Sequence, residues 1–214
     1  MSVTEIALLR LSSEASLNDA ELRSKLVHAK TVMQDFTGRS FYYFEQIEDT
    51  SKVYIVGEWE SLDQHMSSFI PSEANQALLE ALKDDLTVEW LLHVDVSHGS
   101  LPLPKSESDK AKALRGEAVI SVVRHFIKTG EKSNFQQTFE ENKQYLQEFL
   151  TEGALGGGWR IDKEDGKDEW MLLCPWTNVK QHGDFASNPG FDKYGQIRGY
   201  LDGAEIKHAK LLDI

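Results

Sequence analysis

One stretch occurs twice in this chain, and the repeat limits the fold more than any other feature. Val53-Tyr-Ile-Val-Gly-Glu-Trp59-Glu-Ser-Leu-Asp-Gln-His65 is matched by Trp170-Met-Leu-Leu-Cys-Pro-Trp176-Thr-Asn-Val-Lys-Gln-His182. Trp59 falls on Trp176 and His65 on His182 at the same offset of 117 residues. The upstream hairpin keeps this offset, Glu45–Lys52 lying over Asp162–Glu169. Identity is low, but order and polarity agree, so the chain reads as two diverged copies of one module.

Each copy gives the order β-α-β-β-α-β. In the first, the apolar run Glu5–Leu11 reads as a buried strand. Leu17, Leu22, Leu26, Ala29 and Met33 then recur at helical spacing, and Gly38 is placed to end the helix. Phe41–Phe44 has aromatic strand character, Glu48–Ser51 has turn composition, and Val53–Trp59 returns as the partner strand. Ser61 or Asp63 is placed to cap a helix that is interrupted near Pro71, and Thr87–Val96 closes the module. In the second, Ala118–Ile127 is a strand and Asn134–Leu150 a helix. Gly156–Gly158 reads as a flexible turn leading into the strand Trp159–Asp162. Trp170–Pro175 pairs with it across the turn Glu164–Lys167. A helix broken at Asn188-Pro-Gly190 and a strand over Glu205–Leu212 complete the copy. The boundaries are a first module over 1–97, a linker over 98–116 without apolar periodicity, and a second module over 117–214. Tyr54-Ile-Val and Met171-Leu-Leu-Cys are apolar at consecutive positions, whereas a sheet with one wet face alternates. Both faces of each sheet must therefore be covered, and the sheet of the other module is the expected cover.

Composition narrows the function classes. Over 214 residues, 40% are hydrophobic and 10% aromatic, enough for packed cores. A formal charge of −12 leaves no basic surplus for phosphates, so neither nucleic acid nor an anionic membrane is an expected partner. No run approaches a membrane span, and no signal-peptide core opens the chain, with Glu5 and Arg10 interrupting its first apolar stretch. The single cysteine, Cys174, rules out an internal disulfide and reads as a buried apolar residue. A cytoplasmic location is the resulting expectation.

The Trp-Glu-Ser-x-x-x-His stretch at the third strand–second helix junction, inside a β-α-β-β-α-β module, resembles the dimeric α+β barrel superfamily. It is most similar to the antibiotic-biosynthesis-monooxygenase (ABM)-like branch, and the tandem arrangement resembles fungal members. The resemblance implies an α+β fold of two fused ferredoxin-like modules forming an intramolecular dimeric barrel, with a pocket between sheet and helices. It also implies a cofactor-free enzyme of secondary metabolism, oxygenating, cyclising or rearranging a phenolic or polyketide-like substrate. The second copy departs further from the motif, with Pro175 and Thr177-Asn178 in place of Glu58 and Glu60-Ser61, so one site could lack activity.

Within that reading His65 and His182 are the candidate acid/base residues, since an imidazole titrates near neutrality. Trp59 and Trp176 are candidates for positioning a substrate. So are Arg10 and Arg124, which occupy matching places in apolar strands and need an anionic partner. Glu58, Glu45 and Asp162 are the protein candidates for that partner. Tyr42, Tyr43, Phe44, Trp159, Trp170, Phe185, Phe191 and Tyr194 are candidate cavity walls, Tyr43 and Phe185 among the substrate contacts. Each of these also has a structural reading, as seam anchor, helix-start hydrogen bond, ion pair or core. His28, His93, His98 and His208 show no metal-ligand spacing, and His125 faces away from Arg124. No metal or cofactor is expected, and the partner is a small hydrophobic, aromatic substrate. The fused pair is expected as a monomer or a homodimer of pseudo-dimers. Two other readings stand beside the enzyme: a non-catalytic binder or stress-related protein, and a heme-binding or heme-degrading protein using His65 or His182.

Overall fold

The computed structural model describes residues 2–163 and 166–214. The chain forms two compact units. One runs through Ser97 and includes Leu211–Ile214; the other is His98–Lys210. The last four residues therefore belong with the first unit, where the Leu212 amide donates to the Tyr43 carbonyl at 2.9 Å. The fold is mixed α+β, and the strand pairings described here are antiparallel.

The first unit comprises β1 (Val3–Leu11), α1 (Ala20–Thr37), β2 (Phe41–Gln46), β3 (Lys52–Trp59), a π-helical segment Gln64–Phe69, α2 (Glu73–Leu82) and β4 (Leu86–Val94). Its strands lie in the order β4-β1-β3-β2. The Asp19 side chain caps α1 by accepting from the amides of Glu21 and Leu22 at 2.7 and 3.1 Å. Gly38 closes the helix in the left-handed region at φ 68°. Between these caps Leu22, Leu26, Ala29 and Met33 form the buried stripe that their spacing predicts. Pro71, which has no N–H to continue the ladder, stands just after the π-helical segment. Chain regularity resumes at Ser72, whose hydroxyl accepts from the Asn75 amide at 3.2 Å. The π-helical segment turns both His65 and Phe69 inward.

The second unit holds α3 (Glu107–Leu114), β5 (Val119–Ile127), α4 (Lys132–Gln147), β6 (Gly156–Trp159), β7 (Glu169–Trp176), α5 (Val179–Asp184), α6 (Phe191–Tyr194) and β8 (Leu201–Leu211), with 3-10 turns at 98–100, 185–187 and 195–200. Its strands run β8-β5-β7-β6, the order of the first unit element for element. All eight residues of β7 are buried, as are all of β1 except Arg10. Continuous apolar strands thus do bury both faces.

One expectation needs correction, and one gains detail. The stretch expected as a linker, 98–116, carries α3, capped by Ser106, whose side chain accepts from the Asp109 amide at 3.1 Å. This helix buries none of its residues, so there was no apolar period to read. Gly156–Gly158 are strand rather than turn. A Cβ on Gly156 would stand 1.9 Å from the Ser100 carbonyl oxygen, and one on Gly157 2.3 Å from the Met171 carbonyl oxygen. The glycines are there for close backbone approach. Of the hairpin turn expected over Glu164–Lys167, Glu164 and Asp165 lie outside the described residues. Gly156→Ala is expected to cost upwards of about 2 kcal/mol in urea unfolding, because main chain must move. Gly183→Ala, inside α5 where a Cβ meets nothing within 4 Å, is the contrasting control and should cost no stability.

Candidate functional site

Both units contain an apolar cavity floored by their own sheet. The first is about 490 Å³ and the second about 400 Å³, within the usual range for small-molecule sites.

In the first unit the indole of Trp59 is fully buried and lies flat against the His65 ring, 4.0 Å between centroids and 7° between planes. His65 Nδ1 is 2.7 Å from Nε2 of His93. One of these nitrogens carries the hydrogen and the other accepts it. Trp59 Nε1 donates to Glu5 Oε2 at 2.7 Å, and the same oxygen is 3.7 Å from His65 Nδ1. Glu5 sits on β1 directly across from His93 on β4. Its carboxyl faces the cavity, and among the described residues Oε1 receives no hydrogen bond. Burial pushes this carboxyl up to about 7, against the opposing pull of the Trp59 hydrogen bond and the His93 charge. Near neutral pH it is therefore poised between acid and base. Tyr43 shares the cavity wall, and burial together with the Glu5 charge raises its phenol, which stays neutral.

The second unit repeats this geometry with one chemical change. Trp176 stacks on His182 at 4.2 Å and 9°. His182 Nδ1 is 2.8 Å from His208 Nε2, and Trp176 Nε1 donates to Ser121 Oγ at 2.9 Å. Ser121 faces His208 across β5 and β8, as Glu5 faces His93. A hydroxyl thus replaces the carboxyl. Cys174 lies beside Ser121, and burial pushes its thiol up to about 12. His125 lines this cavity too; with Nδ1 3.2 Å from the Trp170 carbonyl, it donates there as a neutral ring. Burial lowers it to about 4.

The structure brings His65, Trp59 and Tyr43 together in the first unit, and His182, Trp176 and Phe185 in the second. Trp59 does not itself line the first cavity; it backs three residues that do, His65, Glu5 and Phe69. Arg10 and Arg124 point elsewhere. Arg10 is exposed and pairs with Glu89, with Asp49 at 3.9 Å. Arg124 binds Glu169 through two contacts of 2.5 and 3.2 Å. Neither lines either of the two apolar cavities, although Arg124 borders a smaller polar pocket on the other side of its sheet, and these carboxylates differ from the expected Glu58, Glu45 and Asp162. Glu58 pairs with Arg39 at 3.1 Å instead. Of the other aromatic candidates Phe191 and Tyr194 line the second cavity, while Tyr42, Phe44, Trp159 and Trp170 line neither. Glu5, His93, Ser121 and His208 were not among the residues predicted. No helix among the described residues is long and apolar enough to cross a membrane.

No family model matches the chain, and no curated protein matches its sequence. Solved structures do. An anthrone oxidase-like protein superposes with a TM-score of 0.64 at 11% identity, over 99% of this chain and 91% of that one. A candidate monooxygenase from Lactobacillus acidophilus gives 0.60 at 12%, over 99% of both chains. The chlorite dismutase of Candidatus Nitrospira defluvii gives 0.58 at 12%, over 99% of this chain and 91% of that one. At such identities the likeness shows the mixed α+β fold alone and leaves the chemistry to the residues.

Proposed function

We propose that the first unit is a cofactor-independent oxygenase site for an apolar aromatic small molecule that carries an acidic C–H or phenolic O–H. Each unit would then be one ferredoxin-like module of a fused ABM-like pair, with catalysis in the first. The observation that supports this reading most is the Glu5 carboxyl on the wall of an apolar cavity, tied to Trp59 and beside the His65–His93 pair.

On anthrone, the substrate class named for one structural neighbour, the reaction balances with oxygen alone. The Glu5 carboxylate takes the proton of the ring methylene. His65, hydrogen-bonded to His93 and stacked on Trp59, holds in place the two groups that pull the carboxyl down, and the Tyr43 hydroxyl donates to the enolate oxygen. The enolate reduces O₂ to a ring hydroperoxide, which expels water as the second hydrogen leaves and gives the quinone. One oxygen atom stays in the product and the other becomes water. The apolar walls suit this chemistry, because they favour a delocalised anion over a hydrated one.

The test is oxygen uptake and quinone appearance with anthrone. His65→Ala and His65→Gln are expected to slow turnover by roughly 100-fold or more, while His182→Ala leaves it intact. Full activity in both His65 variants, or no uptake by the unaltered protein, removes the proposal.

A further inference from the structure

The two cavities are built from corresponding elements but differ in charge. Among the residues lining the second there is no aspartate or glutamate, although the chain carries 35 acidic residues and a net charge of −12. Where the first cavity has Glu5, the second has the neutral Ser121, already engaged by Trp176. The one formally charged group on its lining is Arg198. The Arg198 guanidinium lies 4.5 Å over the Phe191 ring at the cavity wall. Among the described residues no carboxylate forms an ion pair with it. Arginine on so acidic a chain ordinarily finds one, as Arg10, Arg39, Arg115, Arg124 and Arg160 do here.

Next to Arg198 stands Tyr194, whose phenol feels the guanidinium charge. Its hydroxyl makes no hydrogen bond among the described residues. A guanidinium and a phenolic O–H on one wall are the donors a carboxylate accepts from. The rest of the lining is apolar and aromatic, with His125 held neutral inside it. We propose that the second unit's cavity is a binding site for an apolar carboxylate, its ring or chain inside and its carboxylate on Arg198 and Tyr194. Binding there needs no turnover, and it does not rest on the chemistry assigned to the first unit.

The probe is 2-naphthoate, ionised at pH 7.5, against its neutral counterpart 2-naphthalenemethanol, each titrated calorimetrically into the full chain. Naphthoate is expected to bind at least ten-fold more tightly than the alcohol. Arg198→Gln should weaken naphthoate at least ten-fold and leave the alcohol unchanged, and Tyr194→Phe should weaken naphthoate by a smaller factor. Lys83→Gln, at the charged rim of the first cavity, should change neither. Arg198 is exposed, so its replacement tests the site and not the fold. The proposal is overturned by absent naphthoate binding or by equal affinity for acid and alcohol. It is likewise overturned by a naphthoate affinity that survives Arg198→Gln or falls as far with Lys83→Gln.

Discussion

Glu5→Gln is expected to make the protein more stable above neutral pH and at the same time nearly inactive. Glutamine keeps the side-chain shape and still offers a carbonyl oxygen to Trp59 Nε1, so the fold should survive. The stability effect follows from the raised carboxyl. Between pH 4.5 and about 7 the folded protein holds a proton on Glu5 that the unfolded chain has released. Stability therefore falls as pH rises through that window, and the deficit is complete above it. At roughly 1.4 kcal/mol per pH unit, the whole effect is on the order of 3 kcal/mol. Glutamine cannot ionise, so Glu5→Gln should melt higher than the unaltered protein at pH 8. The gap should close near pH 4, where both chains carry a neutral group.

Turnover should move the other way. Losing a positioned proton acceptor typically costs about 100- to 10,000-fold, and the inflection near pH 7 in the rate should vanish with it. A carboxyl kept in place only for packing would show the stability gain without the kinetic loss. Unchanged oxygen uptake by Glu5→Gln, or a melting gap that does not vary with pH, would count against the assignment.

How much of this the amino-acid sequence disclosed depends on the distance over which each feature is encoded. Strands β1, β3, β5 and β7 were legible because their apolar residues are consecutive. Helix α1 was legible because Leu22, Leu26, Ala29 and Met33 share one face. Helix α3 left no such mark, since none of its residues is buried. The Trp and His of each copy were legible because seven consecutive residues of one junction carry both, and the 117-residue offset repeats them. Their partners were not, because those come from the register of distant strands: Glu5 meets His93 across β1 and β4, and Ser121 meets His208 across β5 and β8. Carrying the repeat outward would have found them, since His93 and His208 fall at the same point of the closing strand in each copy. Side-chain alternation also decides the arginines. Along β5, Ser121 and His125 face the cavity, so Arg124 between them faces away, and its match with Arg10 marks an ion pair on the opposite side.

The last expected result concerns the indole that joins these parts. Trp59 is fully buried, with Phe41 edge-on at 5.4 Å and Phe69 at 5.0 Å in addition to the stacked His65. Trp59→Ala should cost about 3–5 kcal/mol of stability, the range for deleting a packed aromatic, measured by denaturant unfolding. Trp59→Phe is the sharper probe, because it keeps an aromatic ring against His65 while removing the N–H along with part of the ring system. The hydrogen bond from that N–H lowers the Glu5 carboxyl, so its loss should raise the carboxyl above about 7. The rate inflection should then shift to higher pH, with turnover at pH 7 falling and partly recovering at pH 9. Trp176→Phe removes the equivalent donor from Ser121, which does not titrate in this range, so the pH profile should stay where it was. An upward shift in the first variant and none in the second would place the titrating group beside Trp59. Identical profiles in the two variants would mean that Glu5 does not set the rate.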